Sequence, residues 1–180
     1  MRACTRRHSS SGSLVAQWPL RQSAIALACG ALLSQQSHAQ TTIGPGTVAP
    51  FTVSSGTATV VGGTTVSTTG VAARVTAGAL TLDTSQGAQA GSAISLTTTA
   101  GTAHGIYITG GSLSILNGPV NISTAGSGSS GLWTQNAGSS VTALAGGLNI
   151  VTTGTMTTGA VGAYGLLASN GTTVRSVCPT

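Results

Sequence analysis

Lysine is missing from this 180-residue chain, and Asp83 is its only acidic residue. A lone carboxylate rules out the paired-carboxylate chemistry of glycoside hydrolysis. Without lysine there is neither a P-loop nor a Schiff-base nucleophile. Aromatic residues are nearly as scarce: one Phe, two Tyr and two Trp cannot fill a large aromatic core. Long helices are also disfavoured, because Gly, Thr, Ser and Val stand where helix-forming residues and their charge pairs would be needed. The low charge argues equally against a solvated disordered segment. Short β-strands with small side chains and frequent turns are what these absences leave.

The formal net charge of +5 would ordinarily suggest a nucleic acid or an anionic membrane. Its distribution says otherwise. Arg2, Arg6, Arg7 and Arg21 all precede Gln22, and beyond them only Arg74, Arg175 and Asp83 are charged. The basicity belongs to a leader, and no nucleic-acid partner is expected. Residues 1–23 are basic and acid-free; Ala24 to Leu33 then form an apolar run, and Ser37-His38-Ala39 offers small residues at a cleavage site. This order reads as a signal peptide over 1–39, addressed to the export machinery and cut between Ala39 and Gln40. The apolar run is too short to span a bilayer, which takes roughly 20 residues. A lipoprotein box at Cys29, a twin-arginine signal at Arg6-Arg7 and an organellar transit peptide are weaker readings of the same leader. Once it is removed, Cys178 is the sole remaining thiol, so no internal disulfide can form.

Past Gln40 the chain repeats itself. Leu116-Asn117-Gly118-Pro119-Val120-Asn121-Ile122 matches Leu144-Ala145-Gly146-Gly147-Leu148-Asn149-Ile150 at an offset of 28, and Ala77 to Leu82 reads as an earlier, weaker copy. Gly105-Ile106-Tyr107 recurs as Gly131-Leu132-Trp133 at an offset of 26, and as Gly165-Leu166-Leu167 after a further 34. Between these come Gly-containing turns and a third strand, as in Gly111-Ser112-Leu113-Ser114-Ile115. The unit is strand, turn, strand, turn, strand, turn, and its recurrence at offsets of 26 to 34 is a solenoid period. One unit buries too little apolar surface to offset its chain entropy, so units must stack. Residues 77–176 carry these repeats; 40–76 read as irregular capping coils at the N-terminal end.

Thr-Thr-x-Gly leading to Ala103-His104-Gly105-Ile106-Tyr107, followed by Gly-Gly-Ser-Leu and Leu-Asn-Gly, resembles the passenger region of bacterial autotransporters. Ala163-Tyr164-Gly165-Leu166 repeats the signature. The resemblance implies an all-β chain folded as a right-handed parallel β-helix (solenoid), shown at the surface or outer membrane of a Gram-negative bacterium or secreted, in adhesion or virulence. Such proteins end in a translocator β-barrel, and nothing after Val177 supplies its strands. The expectation is therefore the N-terminal portion of a passenger, a fragment or a gene remnant, with 177–180 an abrupt end and the barrel found in the full-length protein.

No catalytic, cofactor or metal site is expected. A triad would need Asp83, His104 and a serine, but His104 stands where sister repeats have Ser130 and Tyr164, which suggests a turn position. A dyad of His104 with Cys178 would be far apart along a solenoid. A polysaccharide-active β-helix enzyme would need acidic ligands that this chain lacks. Asn121-Ile122-Ser123 and Asn170-Gly171-Thr172 fit a glycosylation sequon but read as strand-edge or turn residues. Ice binding by threonine ladders is disfavoured, because Thr57-Ala58-Thr59 and Thr155-Met156-Thr157 look like isolated units. Tyr107 and Trp133 remain as surface-contact candidates for a host glycan or protein. Each follows an inward aliphatic and is expected to face outward, stacked on its neighbour.

Overall fold

The computed structural model describes residues 40–143, 147–154 and 163–176. The signal peptide with Ala39, the Leu144-Ala145-Gly146 and Thr155-Met156-Thr157 segments and the C-terminal 177–180 lie outside the described residues. The described residues form sixteen strands in three sheets and contain no helix. The first sheet holds β1 (Gln40–Ile43), β4 (Thr57–Val61), β7 (Ala79–Asp83), β10 (Ser112–Asn117), β13 (Ser140–Ala143) and β16 (Thr173–Ser176). The second holds β2 (Gly46–Thr47), β5 (Thr64–Thr68), β8 (Ile94–Thr98), β11 (Val120–Thr124) and β14 (Leu148–Thr152). The third holds β3 (Phe51–Val53), β6 (Ala73–Val75), β9 (Ile106–Ile108), β12 (Leu132–Thr134) and β15 (Leu166–Ala168). Every pairing is parallel, and the chain visits the three sheets in constant order. Three consecutive strands make one coil, an arrangement consistent with a parallel β-helix-like solenoid.

Alternation explains why these segments are strands. In β8, β9, β11 and β12 the first and third residues are buried and the second is only partly so. The buried members stack from coil to coil: Ala58, Leu80, Leu113 and Val141 in the first sheet, Val66, Leu96 and Ile122 in the second, Ala73, Ile106 and Leu132 in the third. All ten belong to one hydrophobic cluster. Each coil supplies a few aliphatics; the stack makes them a core.

Coil length varies while the parallel pairing persists, with one register shift where β10 meets β7, between Ile115 and Asn117. Gln40 pairs with Thr57 and Thr57 with Ala79, offsets of 17 and 22. The next step, Ala79 to Ser112, is 33. The added length collects in turns, chiefly after Asp83, where a longer loop costs little entropy.

One sequence expectation needs correcting. Leu80-Thr81-Leu82 is no earlier copy of Val120-Asn121-Ile122; it pairs with β10 in the first sheet, while Ile94-Ser95-Leu96 underlies β11. Aliphatic–polar–aliphatic triplets occur in all three sheets, so pattern alone does not say which stack a triplet joins. Thr57-Ala58-Thr59 has no second Thr-x-Thr stacked on it: its register partners are Gln40-Thr41-Thr42 on one side and Ala79-Leu80-Thr81 on the other. Register places Thr42, Thr59, Thr81, Ser114 and Thr142 in one row and Gln40, Thr57, Ala79, Ser112, Ser140 and Thr173 in another, so Gln, Ala and Ser interrupt the threonines. Successive offsets of 22, 33 and 28 hid these rows from a fixed-period reading.

Asp83 anchors the turn between β7 and β8. It is 4% exposed. Its carboxylate accepts from Ser85 N–H (3.0 Å), Ser85 Oγ–H (2.6 Å), Gln86 Nε2–H (2.7 Å) and, from the next coil, Asn117 Nδ2–H (2.9 Å). Burial alone would raise its pKa, but these hydrogen bonds outweigh it and hold the carboxyl below the ordinary aspartate value. A depressed folded-state pKa means the stabilisation is complete above about pH 5 and is lost as pH falls below ~3.9 and through the folded value. Asp83→Asn should therefore lower stability by about 1–2 kcal/mol near neutrality. In urea titrations at several pH values, its deficit against wild type should shrink toward pH 3. A deficit that stays constant with pH would assign the loss to packing instead.

Candidate functional site

The third sheet carries a row of outward side chains: Thr52, Arg74, Tyr107, Trp133 and Leu167, each register partner of the next. Ile106 and Ile108 beside Tyr107, and Leu132 and Thr134 beside Trp133, are buried, so alternation turns the two aromatics outward as the sequence suggested. They are half-buried all the same. The Tyr107 and Trp133 ring centroids lie 4.8 Å apart with 34° between the planes, the separation that strand spacing imposes. Arg74 lies on the other side of Tyr107, its Cζ 5.2 Å from the ring centroid, a cation–π distance. Tyr107 Oη donates to Gln135 Oε1 at 2.9 Å. Both faces of the Tyr107 ring are thus occupied, and mainly its edge meets solvent.

His104 closes this group from the turn before β9. Its ring meets Trp133 edge-on at 4.6 Å and 75°, and Tyr107 at 5.5 Å and 45°. The residue is only 6% exposed. Nδ1 accepts a hydrogen bond from Ser130 N–H at 3.0 Å. Burial, and then the positive charge of Arg74, push its pKa below the ordinary histidine value, so the ring is neutral near pH 7.

The same turn shows how the coils align. Ala72 N–H donates to His104 carbonyl, Gly105 N–H to Ser130 carbonyl and Gly131 N–H to Tyr164 carbonyl, at 3.1, 3.0 and 2.9 Å. His104, Ser130 and Tyr164 therefore occupy equivalent positions, as the repeat alignment indicated. Neither Arg74 nor Gln135 stood out in the sequence. Ala72-Ala73-Arg74 lacks the Gly–aliphatic–aromatic signature, and only alternation of Ala73 and Val75 against Ile106 and Ile108 could have found it.

Chain comparisons were negative. No family model matches, and no curated protein or solved structure matches either. The site is therefore read from its own chemistry.

That chemistry is largely internal. Asp83 is bound by Ser85, Gln86 and Asn117, while His104 accepts from Ser130, and none of these bonds joins the two residues. The Asp83–His104–serine triad is thus not assembled; Cys178 lies outside the described residues. Among the described residues no group of three or more His, Cys, Asp or Glu could hold a metal ion. Asn121 is a partly buried strand residue paired with Ser95 and Asn149, whereas Asn170 has φ = 56° in an exposed turn. Trp133 Nε1, Ser130 Oγ and Thr134 Oγ1 are shielded from solvent with no hydrogen-bond partner. Thr124 Oγ1 on β11 and Thr172 Oγ1 before β16 are in the same state, and such groups cost about 1–3 kcal/mol each.

Proposed function

We propose that this chain is an exported structural module, the stacked-coil part of an autotransporter-like passenger folded as a right-handed parallel β-helix. Its work is to present surface at or beyond the outer membrane of a Gram-negative bacterium, without catalysis. The observation that carries the reading is the in-register parallel pairing across three sheets, which turns a nearly charge-free Gly/Ser/Thr chain into a stiff stack with long outward rows. The leader with its Ala39/Gln40 junction supports export. Where the stack touches a host glycan or protein, the solvent-facing parts of Tyr107 and Trp133 are the contact group; Tyr107 offers mainly its edge, because Trp133 and Arg74 occupy its two faces.

Expression of the full chain in a Gram-negative host tests this. The product recovered outside the inner membrane should begin at Gln40 by mass. After purification it should bind host cells or matrix, and Tyr107→Ala/Trp133→Ala should weaken that binding. A chain retained in the cytoplasm with its leader intact would sink the export reading. An exported product that binds nothing would sink only the adhesive part.

A further inference from the structure

His104 is tied to two other coils. Its carbonyl accepts from Ala72 N–H at 3.1 Å in the coil below, and its Nδ1 accepts from Ser130 N–H at 3.0 Å in the coil above. The second bond depends on protonation state. A neutral imidazole has one free ring lone pair, and here Ser130 N–H takes it. Protonation places a hydrogen on Nδ1, so two N–H donors face each other where a donor met an acceptor. The new charge would sit in a 6%-exposed position, with the Arg74 cation on β6 as the charged neighbour. Its ring also meets Tyr107 on β9, Trp133 on β12 and the Ser130 N–H, none of which offers a carboxylate.

We infer that His104 is an acid-operated latch between the third and fourth coils: neutral, it holds the Ser130 turn and the aromatic stack closed, and protonated, it releases Ser130 N–H and uncovers Trp133. Release is local, since Gly105 N–H to Ser130 carbonyl and Ile106 N–H to Gly131 carbonyl, 3.0 and 2.9 Å, do not involve the ring. The sign follows from the lowered basicity of the buried ring. The closed state is fully favoured above about pH 6.5 and loses its advantage as pH falls through the folded-state value. Asp83 titrates below the ordinary aspartate range and does not contribute to a step in mild acid.

The test uses the full chain with Trp18→Phe, so that Trp133 is its only tryptophan. Acrylamide quenching is measured from pH 8 to pH 4.5, with circular dichroism confirming that the β-signal persists. Quenching constants report access and are separable from static dimming by the imidazolium. The quenching constant should rise in one step with its midpoint below about 6.5. His104→Gln, whose amide oxygen can still accept from Ser130 N–H, should lose the step. Arg74→Met should shift the midpoint upward by removing the repelling charge. A flat wild-type profile, an unchanged step in His104→Gln, or an unmoved midpoint in Arg74→Met would overturn the latch. Should His104→Gln fail to fold, the Arg74→Met shift decides alone.

Discussion

Gly105→Ala is expected to destabilise the array by about 3 kcal/mol, the upper end of what overpacking a buried site costs. A methyl group at Gly105 would collide with Ile122 Cγ2 and lie 2.5 Å from the Gly131 carbonyl oxygen. That oxygen accepts the Ile106 N–H at 2.9 Å, so it cannot retreat without breaking the ladder between β9 and β12. The next coil repeats the arrangement, with a methyl at Gly131 meeting Ile150 Cγ2 and the Gly165 carbonyl oxygen. Glycine precedes each aliphatic–aromatic pair because two backbones approach there too closely for any Cβ. Gly70→Ala is the control: its nearest neighbour would be Thr68 Oγ1 at 3.8 Å. It should stay within about 0.5 kcal/mol of wild type. Thermal melts followed by circular dichroism compare the two, and equal melting temperatures would contradict the close-packed account.

Leu96→Ala should cost about 2–5 kcal/mol, the range for removing a buried leucine when the cavity cannot collapse. Leu96 is 0% exposed and stacks between Val66 and Ile122. In a solenoid each coil touches only its neighbours, so the loss weakens two coil interfaces together. Leu166, 47% exposed on β15, provides the contrast. Leu166→Ala should cost less than about 1 kcal/mol, because little apolar surface is returned to water. Urea titration reads both. A Leu96→Ala midpoint close to that of Leu166→Ala would mean the buried column carries little of the stability.

Much of this was legible in the chain. Gly105-Ile106-Tyr107 and Gly131-Leu132-Trp133 are distinctive triplets, and their offset of 26 is the observed register. Val120-Asn121-Ile122 with Leu148-Asn149-Ile150 is another, at 28. The early coils were harder, because offsets of 17, 18 and 22 leave no fixed period and β2 is only two residues long. Register also decides polar partnerships that sequence hides. Asp83 and Ser85 are local and suggest a turn, but Asn117 reaches Asp83 from 34 residues away only because β7 and β10 stack. The comparison of His104 with Ser130 as sister positions held a further clue. Equivalent positions in adjacent coils are neighbours in space, and Ser130 is the hydrogen-bond partner of His104.

Paired cysteines test most directly whether the coils stack in parallel and in one register. In a background of Cys4→Ser, Cys29→Ser and Cys178→Ser, Asn121→Cys is combined with either Asn149→Cys or Val151→Cys. Asn121 and Asn149 are outward register partners on β11 and β14, whereas Val151 lies two residues beyond. Strand spacing puts the first pair of Cα atoms about 4.8 Å apart and the second about 8 Å, and only the first lies within the ~7 Å reach of a disulfide. Mild oxidation should close Asn121→Cys/Asn149→Cys within the monomer and leave Asn121→Cys/Val151→Cys largely reduced. Equal closure of both pairs, or closure of the second alone, would contradict the stacked-coil register.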